Sequence, residues 1–194
     1  YEALMPTIYP LTDSESPVDG SYWGTDRVST AGELGVTPIP VLQMVGIGIM
    51  GLSQPTPEQL RALIGSSMAH GARGAFYYTY ISDSPWTAGR DGWYAPDDEE
   101  AFAMYTEMHA LQDALMPVVF SDAEETAEVD GAVDWRRWEL EGRSVILLAN
   151  ARADDQDVDL GDLLPDANEF RRYQTCEPIN EDRKSTRPNS RHKP

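Results

Sequence analysis

Residues 55–80, PTPEQLRALIGSSMAHGARGAFYYTY, constrain the fold of this chain more than any other stretch. Thr56 is a side chain that caps helix amino ends, and Pro57 sits where proline is tolerated, at the first helical position. Glu58 and Gln59 place polar groups in the first turn. Leu60, Leu63, Ile64, Ser67 and Met68 recur at helical spacing and define one face. His70 falls in the last turn, where a cation suits the helix dipole, and Gly71 is positioned to stop the helix in a left-handed conformation. GAFYYTY then reads as a short strand with apolar or aromatic residues on both faces. A doubly buried strand directly after an amphipathic helix predicts a parallel α/β sheet.

The flanking segments extend that pattern. Residues 2–10 read as a strand ending in Tyr-Pro, residues 12–24 as a turn-rich loop, and residues 26–34 as a short helix stopped at Gly35. Residues 37–45, TPIPVLQMV, read as a buried strand. Residues 46–54 form a glycine-rich connection, and a long loop with two tryptophans follows the aromatic strand. Residues 97–115 predict a helix with Phe102, Tyr105, Met108, Leu111 and Leu115 on one stripe, ended by Pro117. Beyond it, VDWRRWELEGRSVILLAN predicts two antiparallel strands turning at Gly142, and VDLGDLL is a candidate further strand.

This order of elements resembles the last quarter of a TIM-barrel protein of the glycoside-hydrolase type. The resemblance spans residues 2–150 and is carried by IYP at 8–10, PVLQ at 40–43 and the helix–HGARG–strand block at 57–80. It implies an α/β fold: the C-terminal portion of a (β/α)8 barrel, strands six to eight, followed by the start of an antiparallel β-sandwich. The implied domains are 1–117 for the barrel portion and 118–181 for the partial sandwich. A complete barrel takes about 250 residues, so three strands read as a fragment whose N-terminal half is missing.

Residues 182–194, DRKSTRPNSRHKP, resemble the translation of a sequencing adapter and read as a non-native tail. Both lysines of the chain, Lys184 and Lys193, lie within it. The whole chain has 15 Lys plus Arg against 33 Asp plus Glu, a net charge of -18; without the tail's five bases and single acid the charge is -22. A surface so acidic repels phosphate backbones, which argues against a nucleic-acid partner. No apolar run is long enough to cross a membrane. The single cysteine, Cys176, allows no internal disulfide, and no Cys/His cluster suggests a metal or other cofactor.

Strand carboxyl ends carry the chemistry of parallel α/β folds. That rule selects Tyr9, Gln43, Tyr78 and Tyr80, with Asp83, Trp86 and Trp93 in the loop that follows. The resemblance implies a carbohydrate substrate and an extracellular or periplasmic location. It also implies a nucleophilic carboxylate at the end of the seventh strand, where this chain has Gln43, and an acid/base on a fourth strand that is not represented. An amide does neither job, so no catalytic residue is assigned, and a glycan-binding protein that does not cleave stands beside a hydrolase. An unrelated α/β enzyme is the third possibility. Gln43 interrupts an apolar strand and reads either as a ligand for sugar hydroxyls or as an amide satisfied by nearby backbone. Aromatic rings suit the apolar C–H faces of sugars; Phe76 and Tyr77 read instead as core. His70 and His109 read as structural, and Glu124–Glu125 as solvated charge.

Overall fold

The computed structural model describes residues 3–9, 17–44, 53–78, 81–82, 93–94, 99–121, 123–129, 133–140, 142–150 and 155–164. The chain divides into two units, 1–153 and 154–194. In the first, strands β1 (Ala3–Leu4) and β2 (Thr7–Ile8) lead to helix α1 (Pro17–Glu33), and strands β3 (Thr37–Pro38) and β4 (Val41–Gln43) follow. Helix α2 (Pro57–Ala69) leads into β5 (Phe76–Tyr78). The short strands β6 (Ile81–Ser82) and β7 (Trp93–Tyr94) pair antiparallel before helix α3 (Glu99–Val119). Strands β8 (Glu124–Glu128), β9 (Asp134–Leu140) and β10 (Arg143–Ala149) complete the unit.

The parallel pairing expected of the three apolar segments is present. β2, β4 and β5 form one sheet in that order, all parallel, and β1 pairs parallel with β3. The breaks between β1 and β2 and between β3 and β4 fall at prolines, which lack the N–H that a ladder needs. The ribbons continue past them all the same. Ile39 N–H donates to Leu4 O and Val41 N–H to Pro6 O, while Pro38 O and Pro40 O accept from Arg73 and Phe76.

The expected architecture is not met. The parallel strands form an open sheet that does not close, so the reading as the C-terminal portion of a (β/α)8 barrel is corrected. Strands β8, β9 and β10 form one three-stranded antiparallel sheet, in the order β10-β9-β8, packed on α2, and among the described residues no sandwich is formed. The physical reason is that the capped helix, the glycine stop and the parallel strand specify a strand–helix–strand unit. Open sheets and barrels share that unit, and closure depends on strands that local signals do not supply.

Helix α2 is the centre of the unit. Thr56 and Gln59 complete a reciprocal capping box, and Gly71 takes φ 103° after the His70 cap. Residues 63–70 are all buried, not only the predicted face. The parallel sheet takes Leu60, Leu63, Ile64 and Met68 into a core with Ile8, Leu42, Met44, Met104 and Met108. On the other side the antiparallel sheet comes close because the helix carries small residues there. A Cβ on Gly65 would stand 3.0 Å from the Cβ of Ala149. Trp138 inserts from β9 into the same core. The hairpin 134–149 has the expected turn, with Leu140 opposite Arg143 and Gly142 at φ 79°.

Three local expectations differ from the structure. Helix α1 begins at Pro17 and takes in most of the expected loop; Gly24 is there because a Cβ would meet Ile8 Cγ2 at 2.3 Å, a packing glycine and not a turn glycine. Helix α3 runs past Pro117 to Val119, since burial of Val118 and Val119 rewards the final turn. In the second unit, residues 160–163 form a single helical turn capped by Asp159 where a strand was a candidate.

Candidate functional site

Strand register builds the first cluster. Ile8 lies opposite Leu42, Leu42 opposite Tyr77, and Gln43 opposite Tyr78. Ile8, Leu42 and Tyr77 turn toward the helices. Tyr77 meets Tyr105 and His109 edge-on, and its hydroxyl donates to Gln112 Oε1 at 3.2 Å. Burial pushes the Tyr77 phenol far above its ordinary pKa. Because side chains alternate along a strand, Tyr9, Gln43 and Tyr78 form the next row, on the opposite face and at the carboxyl edge.

The two tyrosine rings of this row lie 5.8 Å apart, tilted by 33°. Tyr78 is 40% exposed and Tyr9 half-buried. Phe76, expected in the core, is 54% exposed on the same face as Tyr78, because no element among the described residues covers that face there. The pKa of Tyr9 is pushed up to about 12, chiefly by burial and further by Tyr78 beside it, so its phenol stays a neutral donor across ordinary pH. Gln43, between them, is 1% exposed, and its Nε2 donates to Ser53 O at 2.7 Å. Gln54 returns the favour with a bond from Nε2 to Met44 O at 3.3 Å. The two amides clamp the segment before α2 against the end of β4. The sequence-selected residues Tyr9, Gln43 and Tyr78 are thus brought together. Tyr80, Asp83, Trp86 and the loop residues Arg90 and Asp91 lie outside the described residues, as do Cys176 and the 182–194 tail. For Trp93 only the strand pairing opposite Ser82 is described.

A second cluster lies at the other end of the strands and was not selected from the sequence. Ser29, Gly32, Gly35, Val36, His70, Gly71, Arg73, Glu125 and Arg136 line a cleft of about 420 Å³. Its floor is Glu125, whose two carboxylate oxygens accept from Arg73 Nη1 and Arg136 Nη1, each at 2.7 Å. Glu125 therefore pairs in a partly buried site instead of being solvated. Its register opposite Trp138 turns it inward, a placement that only strand pairing decides. Arg73 also donates to Val119 O, and Arg136 Nε to Ala69 O at 2.8 Å, the helix-end carbonyl expected to attract a cation. Burial lowers the pKa of the Arg136 guanidinium, against the opposing pull of Glu125.

The His70 side chain, at the end of α2, is fully buried. Nδ1 lies 2.8 Å from Ser29 Oγ, and Nε2 lies 3.5 Å from Asp134 Oδ2. Ser66 Oγ donates to the same oxygen at 2.5 Å. Three residues separated by 41 and 64 positions meet here, and no local motif announces them. The one available sign was the polar Asp134 at the start of an otherwise inward-facing strand row. Among the described residues no group of three or more His, Cys, Asp or Glu could hold a metal, and no helix is long and apolar enough to cross a membrane. Compared with protein-family models, with curated proteins and with solved structures, the chain matches none.

Proposed function

We propose that this chain binds a carbohydrate on the Tyr9–Gln43–Tyr78 row at the carboxyl edge of the parallel sheet. The single observation that supports the reading is the pair of neighbouring, partly exposed tyrosine rings tilted by 33° on one open sheet face. Such rings offer flat apolar surfaces to the C–H face of a pyranose while their hydroxyls remain available to its rim. The location agrees with the general rule that ligands of parallel α/β sheets sit beyond the strand carboxyl ends. Gln43 acts beneath them by holding the segment at Ser53, so the floor is rigid and satisfied. The row contains no carboxylate, whereas glycoside cleavage uses two, so the reading is one of binding.

The test is affinity gel electrophoresis of the full chain against a panel of soluble polysaccharides, followed by titration calorimetry on the best. Tyr78→Ala and Tyr9→Ala are each expected to weaken binding about tenfold, the loss of one stacking surface worth about 1.4 kcal/mol. Melting temperature serves as the folding control. Absence of binding to every glycan at millimolar concentration, or binding indifferent to both substitutions, overturns the reading.

A further inference from the structure

We propose that Ser29, His70 and Asp134 form a nucleophile–base–orienter relay that opens into the cleft at the amino end of the strands and hydrolyses small carboxylic esters. This site is separate from the aromatic row and does not depend on it. The three residues come from three elements: Ser29 from α1, His70 from the cap of α2 and Asp134 from the first position of β9. Such a constellation is recognised by geometry and roles and not by order in the chain.

His70 Nδ1 is hydrogen-bonded to Ser29 Oγ, while Nε2 is buried with no hydrogen-bond partner and lies 3.5 Å from Asp134 Oδ2, so the tautomer is set by which of the two can be served. A carboxylate can only accept, so Asp134 Oδ2 calls for the proton on Nε2. Nδ1 then carries the lone pair and accepts from the Ser29 hydroxyl at 2.8 Å. That is the resting form of a general base beside its nucleophile. The nitrogens are exchanged relative to the commonest arrangement, but either can take the proton once the other is bonded to an acid. The 3.5 Å separation on the Asp134 side is long for a hydrogen bond. Catalytic contacts are often loose before substrate binds. Ser66 holds the same carboxylate oxygen from behind, at 2.5 Å, and so orients the orienter.

Access supports the case. His70 and Asp134 are buried, while Ser29 is partly exposed and lines the cleft together with His70. A volume of about 420 Å³ admits a small ester and excludes a folded polypeptide. Arg73 and Arg136 line the same cleft, and Arg136 Nη2 lies against Gly71, whose missing Cβ would stand 3.2 Å from it. Both guanidinium groups are paired with Glu125, and Glu33 lines the cleft as well, so a developing oxyanion would compete with Glu125 for them.

The steps balance without a cofactor. Ser29 Oγ attacks the ester carbonyl carbon as its proton passes to His70 Nδ1. The tetrahedral adduct collapses, the bond to the alcohol oxygen breaks, and the alcohol leaves with that proton. Water then attacks the acyl-Ser29 carbonyl and gives a proton to Nδ1. The acyl–Oγ bond breaks, Oγ recovers the proton, and the free acid departs.

The experiment treats the full chain with a fluorophosphonate probe, which phosphonylates an activated serine with loss of fluoride, and maps the adduct by peptide mass spectrometry. The expected result is one adduct on Ser29, absent in Ser29→Ala at unchanged melting temperature. Asp134→Asn, which keeps the shape of the orienter, should slow labelling of Ser29 at least tenfold. It should likewise lower kcat for p-nitrophenyl acetate with little change in KM. No adduct on Ser29 overturns the proposal, and so does a labelling rate indifferent to Asp134→Asn, which would leave the cluster a purely structural bridge between α1, α2 and β9. Should Asp134→Asn fail to fold, labelling of the unaltered chain decides by itself.

Discussion

The two ends of the parallel sheet solve the same problem in opposite ways. At the carboxyl edge, Tyr9 and Tyr78 lie side by side, partly exposed, with few obligations to the rest of the chain. At the amino edge, Ser29, His70 and Asp134 are tied to one another, and Arg73, Arg136 and Glu125 are tied to backbone carbonyls and to each other. The first end spends apolar surface that water touches anyway. The second buries charges and hydroxyls, which is tolerable only when each finds a partner. The lesson is that the amino edge is coupled to the fold, because three secondary-structure elements meet there. The carboxyl edge is nearly free to vary for recognition.

That contrast breaks most readily at Asp134. Asp134→Ala removes the acceptor of Ser66 and the partner of His70 inside the unit. We expect a loss of about 3 kcal/mol in urea unfolding, the scale for a buried, charge-assisted contact left half-made. A loss below 0.5 kcal/mol would mean that the amino edge is no more coupled than the other.

Gly71→Ala comes next. Its φ of 103° is a conformation that side chains resist, and the new Cβ would crowd Arg136 Nη2 at 3.2 Å. The expected cost is about 2 kcal/mol, read from the same unfolding curves. Gln43→Ala sharpens the comparison, since Gln43 sits at the carboxyl edge but behaves as interior. It should cost about 1–2 kcal/mol by stripping the donor from Ser53 O. Tyr78→Ala should change stability by less than about 0.5 kcal/mol, as exposed positions do, while it weakens glycan binding.

The smallest effect is a titration. Folding raises the Tyr9 pKa to about 12 from its ordinary value of 10.0, so it favours the neutral phenol. The associated stability is fully present below pH 10 and is lost as pH climbs from there toward about 12. The difference in 295 nm absorbance between the chain and its Tyr9→Phe variant should place that phenol well above its ordinary value of 10.0. Tyr78→Phe should lower it only modestly, because burial outweighs the charge of its neighbour. A Tyr9 transition at its ordinary value would show the ring pair to be open to water.

How much of this was legible beforehand differs by element. The block 55–80 was readable because each signal is local. A threonine cap, a proline at the first position, a 3.6-residue apolar spacing and a glycine stop act within a few residues of one another. The parallel direction of β2, β4 and β5 followed from the helix between strands, and with it the grouping of Tyr9, Gln43 and Tyr78. What failed was everything that needed a count of strands or a partner far along the chain. The same local grammar suits a closed barrel and an open sheet, and only the pairing shows which one formed. Gly24 read as part of a loop because composition cannot show that a Cβ there would meet Ile8 Cγ2 at 2.3 Å.

The sequence by itself determined the local code: where α2 starts and stops, that the strands beside it are parallel, and that a hairpin turns at Gly142. Tertiary structure alone decided how much of α2 is buried: residues 63–70 are buried all round once a second sheet arrives against Gly65 and Ser66, while Glu58 and Arg61 in the first turns stay exposed. It decided that Glu125 points inward, through a register opposite Trp138. It decided that Ser29, His70 and Asp134 meet. Hydrogen bonds and ion pairs act over a few ångströms of space, whatever the distance along the chain. A chemistry assembled from positions 29, 70 and 134 therefore exists only once α1, α2 and β9 have packed.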